Sequence, residues 1–222
     1  LLVEDDISFD AFCFMNRSMI LQRNIMNFSK KHGAGIECAF RDFVDPRNPS
    51  NNFGWRPFQI AFILMNLKGI VDPEHDNREV VDLLYFPTGG GKTEAYLGLM
   101  AFVIANRRLR TNESDEYNRD GGVTAILRYT LRLLTTQQRD RITKMILAAE
   151  LIRQKEYPKY GKEPISIGFW VGGTVTPNTF KELEEDPEDP AKTRTARSKK
   201  NSIYKQLLTC PFCGKPLTEE NF

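Results

Sequence analysis

The sequence predicts an α/β domain with a parallel sheet, on three observations. Short apolar runs at Val80–Phe86, Val123–Arg128 and Ile165–Val171 alternate with two long helical patterns, Lys92–Arg110 and Leu131–Gln154. The runs are strand-length and end in turns, as buried parallel strands do. The order strand–helix–strand–helix–strand implies right-handed crossovers, which lay helices against a sheet.

Upstream of that core, Ala11–Lys31 places Phe12, Met15, Met19 and Met26 among polar residues, a helical pattern closed by Gly33 or Gly35. Asp45–Gly54 is dense in Pro, Asn and Ser and reads as a loop. Pro57 suits the first position of a helix running through Phe58–Lys68 to a stop at Gly69. His75 falls in a polar loop. The helix from Lys92 is apolar almost all round, as expected of one lying on a sheet under other elements. Arg107, Arg108 and Arg110 gather where its dipole favours cations. Thr111–Asp120 is charged. The helix Leu131–Gln154 aligns Leu131, Leu134, Gln138, Ile142, Met145, Ala149 and Ile152 on one face.

The 222 residues suffice for one substantial domain and the beginning of a second. A formal charge of +2 means that any nucleic-acid surface must be a local basic patch. The longest apolar run, Tyr96–Ala105, is too short to span a bilayer, and no secretory leader opens the chain. Four cysteines do not form a disulfide framework at this length, so a reducing, cytoplasmic setting is expected. The chain starts at Leu1 without a methionine and stops at Phe222 after a Cys-rich turn, and reads as a piece of a longer protein.

Phe86-Pro-Thr-Gly-Gly-Gly-Lys-Thr93 follows a predicted strand and opens a predicted helix, the context a phosphate-binding loop needs. Glycines let backbone N–H groups turn toward phosphate oxygens, and the helix N-terminus adds partial positive charge. Thr88, Gly89, Gly90 and Gly91 form this cradle. Lys92 is placed to reach the β- and γ-phosphates of ATP, and the Thr93 hydroxyl to hold Mg²⁺. Phe86 stands where the strict pattern has glycine, a departure that resembles the loops of helicase superfamily 2. A plain flexible turn would not need Lys-Thr between a strand and a helix. Trp55-Arg-Pro-Phe-Gln59 resembles the Q motif of these ATPases, with Gln59 placed to hydrogen-bond adenine.

Arg128-Tyr-Thr-Leu-Arg-Leu-Leu-Thr-Thr-Gln-Gln138 joins a strand end to the next helix and resembles motif Ia of the same superfamily. Arg128, Tyr129, Thr130 and Arg132 combine charge, a stacking face and hydroxyl donors, which suits DNA with single-stranded character. Leucines of this segment fit a core role, yet its polar donors cluster at a strand's C-terminal end, where open α/β sheets bind ligands. Val171-Gly-Gly-Thr-Val-Thr-Pro-Asn178 resembles the Gly-Gly element and motif Ib, with Gly172, Gly173 and Thr176 facing phosphates. A plain loop is the competing reading there.

Cys210-Pro-Phe-Cys-Gly214 has the spacing of half a zinc ribbon, whose remaining ligands lie beyond Phe222 or among Cys13, Cys38, His32 and His75. The first option is favoured because zinc ligands come in local pairs. A redox Cys-x-x-Cys would begin a helix, which Pro216 opposes. Cys13 and Cys38 read as small buried hydrophobes.

Taken together, Phe14-Met-Asn-Arg-Ser-Met, Trp55–Leu64, Phe86–Gly98, Arg128–Gln138 and Thr176-Pro-Asn resemble the helicase-like ATPases of the bacterial DISARM anti-phage systems. The resemblance covers Ala11–Asn178 and the Cys pair. It implies a RecA-like lobe, ATP hydrolysis, DNA binding, a complex with the subunit DrmB, and a zinc-ribbon-like insertion within the motor. The organisation then reads as a helical extension (1–54), a RecA-like first lobe (55–180), a charged linker of disordered composition (181–202) and the start of the insertion (203–222). The acidic pairs Asp5-Asp6, Asp115-Glu116 and Glu184-Glu185 lack the apolar strand that precedes a Mg²⁺-holding motif. With that motif and the second lobe absent, the segment alone is expected to bind ATP poorly and hydrolyse almost none. The alternatives are a nucleotide-gated DNA-binding scaffold that does not unwind, and a P-loop kinase, which would need neither Gln59 nor the Arg128–Gln138 segment.

Overall fold

A 28-residue helix, α1 (Asp6–Gly33), runs through the centre of the computed structural model. The structure describes residues 1–45, 47, 51, 53–87, 89–110, 119–128, 132–169, 184–194, 196 and 207–218. Asp5 starts α1 by accepting the Ile7 N–H at 3.1 Å and the Ser8 hydroxyl at 2.7 Å. The same carboxylate pairs with Arg110, which also donates to the Ser8 hydroxyl at 3.2 Å. Phe14 and Met15 of α1 are completely buried.

They meet α4 (Lys92–Leu109), where Leu97, Ala101, Phe102 and Ala105 are buried, and α5 (Arg132–Lys155), where Ile142, Met145, Ala149 and Ile152 are buried. Burying each of the Leu, Ile, Phe and Met side chains among these contributes about 1.5–3 kcal/mol. On another side of α4 lies α3 (Pro57–Val71), which begins at Pro57 as expected and runs past Gly69. Trp55, just before α3, donates its indole N–H to Asn16 of α1 at 2.7 Å. The short α2 (Arg41–Val44) packs on α1, and α6 (Tyr157–Tyr160) brings Tyr160 against Phe14 with ring centroids 4.7 Å apart.

The predicted parallel sheet of a RecA-like α/β domain is not formed. The described residues are 58% helix and 1% strand, so they form a helical assembly rather than a layered α/β one. Among the described residues, the β-pairing is one isolated bridge between Thr209 and Pro216. Residues 80–86, 123–128 and 165–169 follow irregular paths. Val81, Leu83 and Tyr85 are 94%, 87% and 90% exposed, with no neighbouring strand to cover them. A strand persists only where adjacent strands take its N–H and C=O groups, and an apolar run does not encode who its neighbours are. The apolar faces of α4 and α5, expected to rest on a sheet, rest on α1 instead. Their periodicity was legible; the identity of the covering layer was not.

Two arginines hold the irregular segments to the helices. Arg108 of α4 is 8% exposed and donates to the carbonyls of Asp120, Tyr160, Glu163 and Pro164 at 2.7–3.3 Å. Arg153 of α5 donates to Gly161 and Lys162 carbonyls and to both carboxylate oxygens of Glu150, whose Oε2 also accepts the Ile165 N–H at 2.8 Å. Among the described residues, 190–194 form about a turn of helix, steadied by Thr193 and Lys192 on Asp186.

Candidate nucleotide site and cysteine turn

Residues 86–93 lead into the N-terminus of α4, as the sequence indicated. Gly89 and Gly91 have φ of +79° and +94°. Gly91 is the N-cap of α4 and, having no side chain, supplies no side-chain cap to the first-turn amides. An added Cβ at Gly91 would lie 2.7 Å from Gln59 Nε2, and its left-handed backbone is one that side chains avoid. Lys92 is the first residue of α4 and its ammonium donates to the Phe86 carbonyl. The Phe86 ring stacks on Phe58 with centroids 3.9 Å apart and planes 12° apart. Thr93 follows, half-buried, while Thr88 lies outside the described residues.

Gln59 reaches this loop but not as an open adenine reader. It is 5% exposed, accepts the Arg56 N–H at 2.8 Å through Oε1, and donates to the Gly91 carbonyl at 2.7 Å through Nε2. Arg56 adds a bond from Nη1 to the Gly90 carbonyl at 2.7 Å. The start of α3 therefore grips two consecutive carbonyls of the loop. Glu94, in the first turn of α4, pairs with Arg141 of α5 at 2.8 Å. Sequence reading missed Arg56, Glu94 and Arg141. An acidic residue directly after Lys-Thr, in a first helical turn, was the available signal for Glu94.

Of the nucleic-acid residues expected, Arg128 is exposed and Arg132 is the first residue of α5, its side chain outside the described residues. Gln138 lies on α5 with Oε1 buried and unpartnered. Tyr129, Thr130, Gly172, Gly173 and Thr176 lie outside the described residues.

Cys210 and Cys213 share a tight turn closed by Gly214 N–H to the Cys210 carbonyl and Cys210 N–H to the Lys215 carbonyl, both 2.8 Å. Burial would raise the Cys210 thiol, but hydrogen bonds from the Cys213 and Phe212 backbone and from the Cys213 side chain outweigh it and lower the pKa. Backbone donors aimed at a sulfur favour the thiolate a metal needs. The donor set fits half of a zinc site. Among the described residues no cluster of three or more His, Cys, Asp or Glu completes it. The turn is docked on the end of α1: His32 Nδ1 lies 2.8 Å from the Cys213 carbonyl, and Phe212 packs on Phe28 and Phe40. Gly214, at φ +74°, leaves no room for a side chain, since a Cβ would sit 2.2 Å from the Ser29 carbonyl. Cys13 and Cys38 are partly buried free thiols.

A glycine turn that caps a helix, with lysine as the first helical residue, is the helix side of the arrangement on which phosphate loops are built; the strand expected before it is not formed over residues 80–86. The chain is 46% identical over 220 residues to the DISARM protein DrmA of Bacillus paralicheniformis, and is homologous to that segment of it. The match spans 99% of this chain and 19% of the relative, so the chain corresponds to about a fifth of that protein. No family model matches the chain. Among the described residues, no helix is long and apolar enough to cross a membrane.

Proposed function

We propose that this chain carries the ATP-binding loop of a DNA helicase or translocase of DISARM anti-phage defence, which couples ATP hydrolysis to movement on or remodelling of DNA. The observation that carries the reading is the Gly89–Gly91 turn delivering Lys92 and Thr93 at the start of α4. Lys92 would meet the β- and γ-phosphate oxygens of ATP in place of the Phe86 carbonyl, and the Thr93 hydroxyl would hold Mg²⁺. Mg²⁺ supplies neutralisation of phosphate charge. Arg56 and Gln59 keep the Gly90 and Gly91 carbonyls turned toward α3, which leaves the opposite side of the loop to its amides. If Gln59 also reads adenine, it must exchange these partners.

Arg128, Tyr129, Thr130, Arg132 and Gln138, with Gly172, Gly173 and Thr176, form the proposed strand-contacting surface. DrmB is the proposed protein partner. Cys210 and Cys213 are proposed as two ligands of a Zn²⁺ whose others lie elsewhere in the whole protein. Zinc content by elemental analysis should fall when both become serine, and full content would place the ligands elsewhere.

The test of function is DNA-dependent ATP turnover by the full-length protein carrying Lys92→Ala. Turnover should fall about a hundredfold or more, the scale for removing a preorganised transition-state contact. Wild-type turnover in that variant would defeat the assignment.

A further inference from the structure

Glu94 stands one residue beyond Thr93 and faces two ways. Its Oε1 accepts from Arg141 Nη1 at 2.8 Å, across the gap between α4 and α5. Its Oε2 is buried and has no hydrogen-bond partner among the described residues. That oxygen lies on the loop side, since a Cβ built on Gly91 would come within 3.4 Å of it. The carboxylate thus lies between α5, which it is bonded to, and the turn that caps α4. The pair is partly shielded, with side chains 38% and 24% exposed, so salt weakens it less than a fully exposed pair.

Arg141 belongs to the helix that begins at Arg132, in the segment proposed to hold the DNA strand. The nine residue steps from Arg132 to Arg141 span about 14 Å along the helix axis. Asp140 and Lys144, by contrast, pair with each other within α5. Arg141 thus links α5 to Glu94, and Glu94 sits directly after Lys92 and Thr93, the two residues proposed to meet ATP.

We propose that the Glu94–Arg141 pair couples strand binding at the start of α5 to the geometry of the nucleotide loop, with Arg141 a positioning residue acting through Glu94. The inference rests on the nucleotide and DNA reading given above. Its physical content is a coupling free energy carried by one ion pair between two packed helices.

The experiment uses the full-length protein, measuring ATP turnover against ATP concentration with and without a single-stranded oligonucleotide, and oligonucleotide affinity by fluorescence anisotropy. For Arg141→Gln, turnover and KM without DNA, and oligonucleotide affinity, should stay within about twofold of wild type, while the DNA-stimulated kcat drops about tenfold. Arg141→Lys, which keeps a cation within reach of Glu94, should retain most of the stimulation. Adding Glu94→Gln to Arg141→Gln should cost no further stimulation, because the link is already broken. Full stimulation in Arg141→Gln overturns the coupling, and so does an equal loss of DNA-free turnover in Arg141→Gln and Arg141→Lys, which would mark simple packing. Should Arg141→Gln fail to fold, Glu94→Gln reads the same pair, and stimulation kept in it is equally fatal. A wild-type protein that neither binds ATP nor responds to DNA defeats the functional reading itself, whereas a stimulated wild type matched by Arg141→Gln defeats the coupling alone.

Discussion

At the residue scale, the loop is a set of carbonyls and amides divided between two helices. Arg56 and Gln59 hold the Gly90 and Gly91 carbonyls on the α3 side. Lys92 rests on the Phe86 carbonyl at the start of α4. Gln59 is the most informative of these, because its buried amide is satisfied by protein at both ends. Removing it leaves the Arg56 N–H and the Gly91 carbonyl without that partner, at a cost of about 1–3 kcal/mol if neither is resatisfied. If Gln59 acts through the loop alone, Gln59→Ala should raise KM for ATP and GTP alike. If it exchanges partners to read adenine, KM for ATP should rise more than KM for GTP. Steady-state kinetics with the two nucleotides in the whole protein distinguishes the outcomes. The sequence marked Gln59 by its place after Pro57 and before the loop. It carried no sign that a glycine carbonyl 32 residues later would engage the amide, since spacing along a chain does not report distance across it.

At the scale of elements, helix positions were legible and the strands were not. Lys92–Arg110 and Leu131–Gln154 were expected and Lys92–Leu109 and Arg132–Lys155 are found, because apolar spacing and the glycine turn fix helix ends locally. The helix expected at Ala11–Lys31 begins at Asp6, since the Asp5 cap and its bond to Ser8 were overlooked. That cap also ties α1 to the end of α4 through Arg110. Burial raises the Asp5 carboxyl, but hydrogen bonds from Ser8 and Arg110 and the arginine's charge outweigh it and hold it below its usual value. A depressed folded pKa gives stability that is present above the unfolded pKa and lost as the pH falls through the folded one. Asp5→Ala should therefore lower stability by about 1–2 kcal/mol near neutral pH, the range for lost N-caps. The gap to wild type should narrow as the pH falls below the unfolded value of about 4 and on through the depressed folded pKa, where the wild-type carboxylate is itself protonated. Thermal melts of both proteins across that range check it, and a gap that widens toward acid would contradict the role given to Asp5.

At the scale of the whole molecule, a three-helix core of α1, α4 and α5, flanked by α3, presents the nucleotide loop at one end of α4 and takes the cysteine turn on the end of α1. The α/β prediction failed because it assigned the covering layer of α4 and α5 to strands, whereas Phe14, Met15 and Met19 of α1 occupy that place. The role proposed for the loop does not depend on that layer, because its signal is local: three glycines, a lysine and a threonine at a helix start. The central claim is that this loop binds ATP. It is tested most directly by titrating full-length wild type and Lys92→Ala with Mg²⁺-ATP in a calorimeter, after melts establish that both are folded. The account predicts saturable binding by wild type and an affinity at least about tenfold weaker in the variant, a loss of roughly 1.4 kcal/mol or more. Equal affinities in the two folded proteins would contradict it.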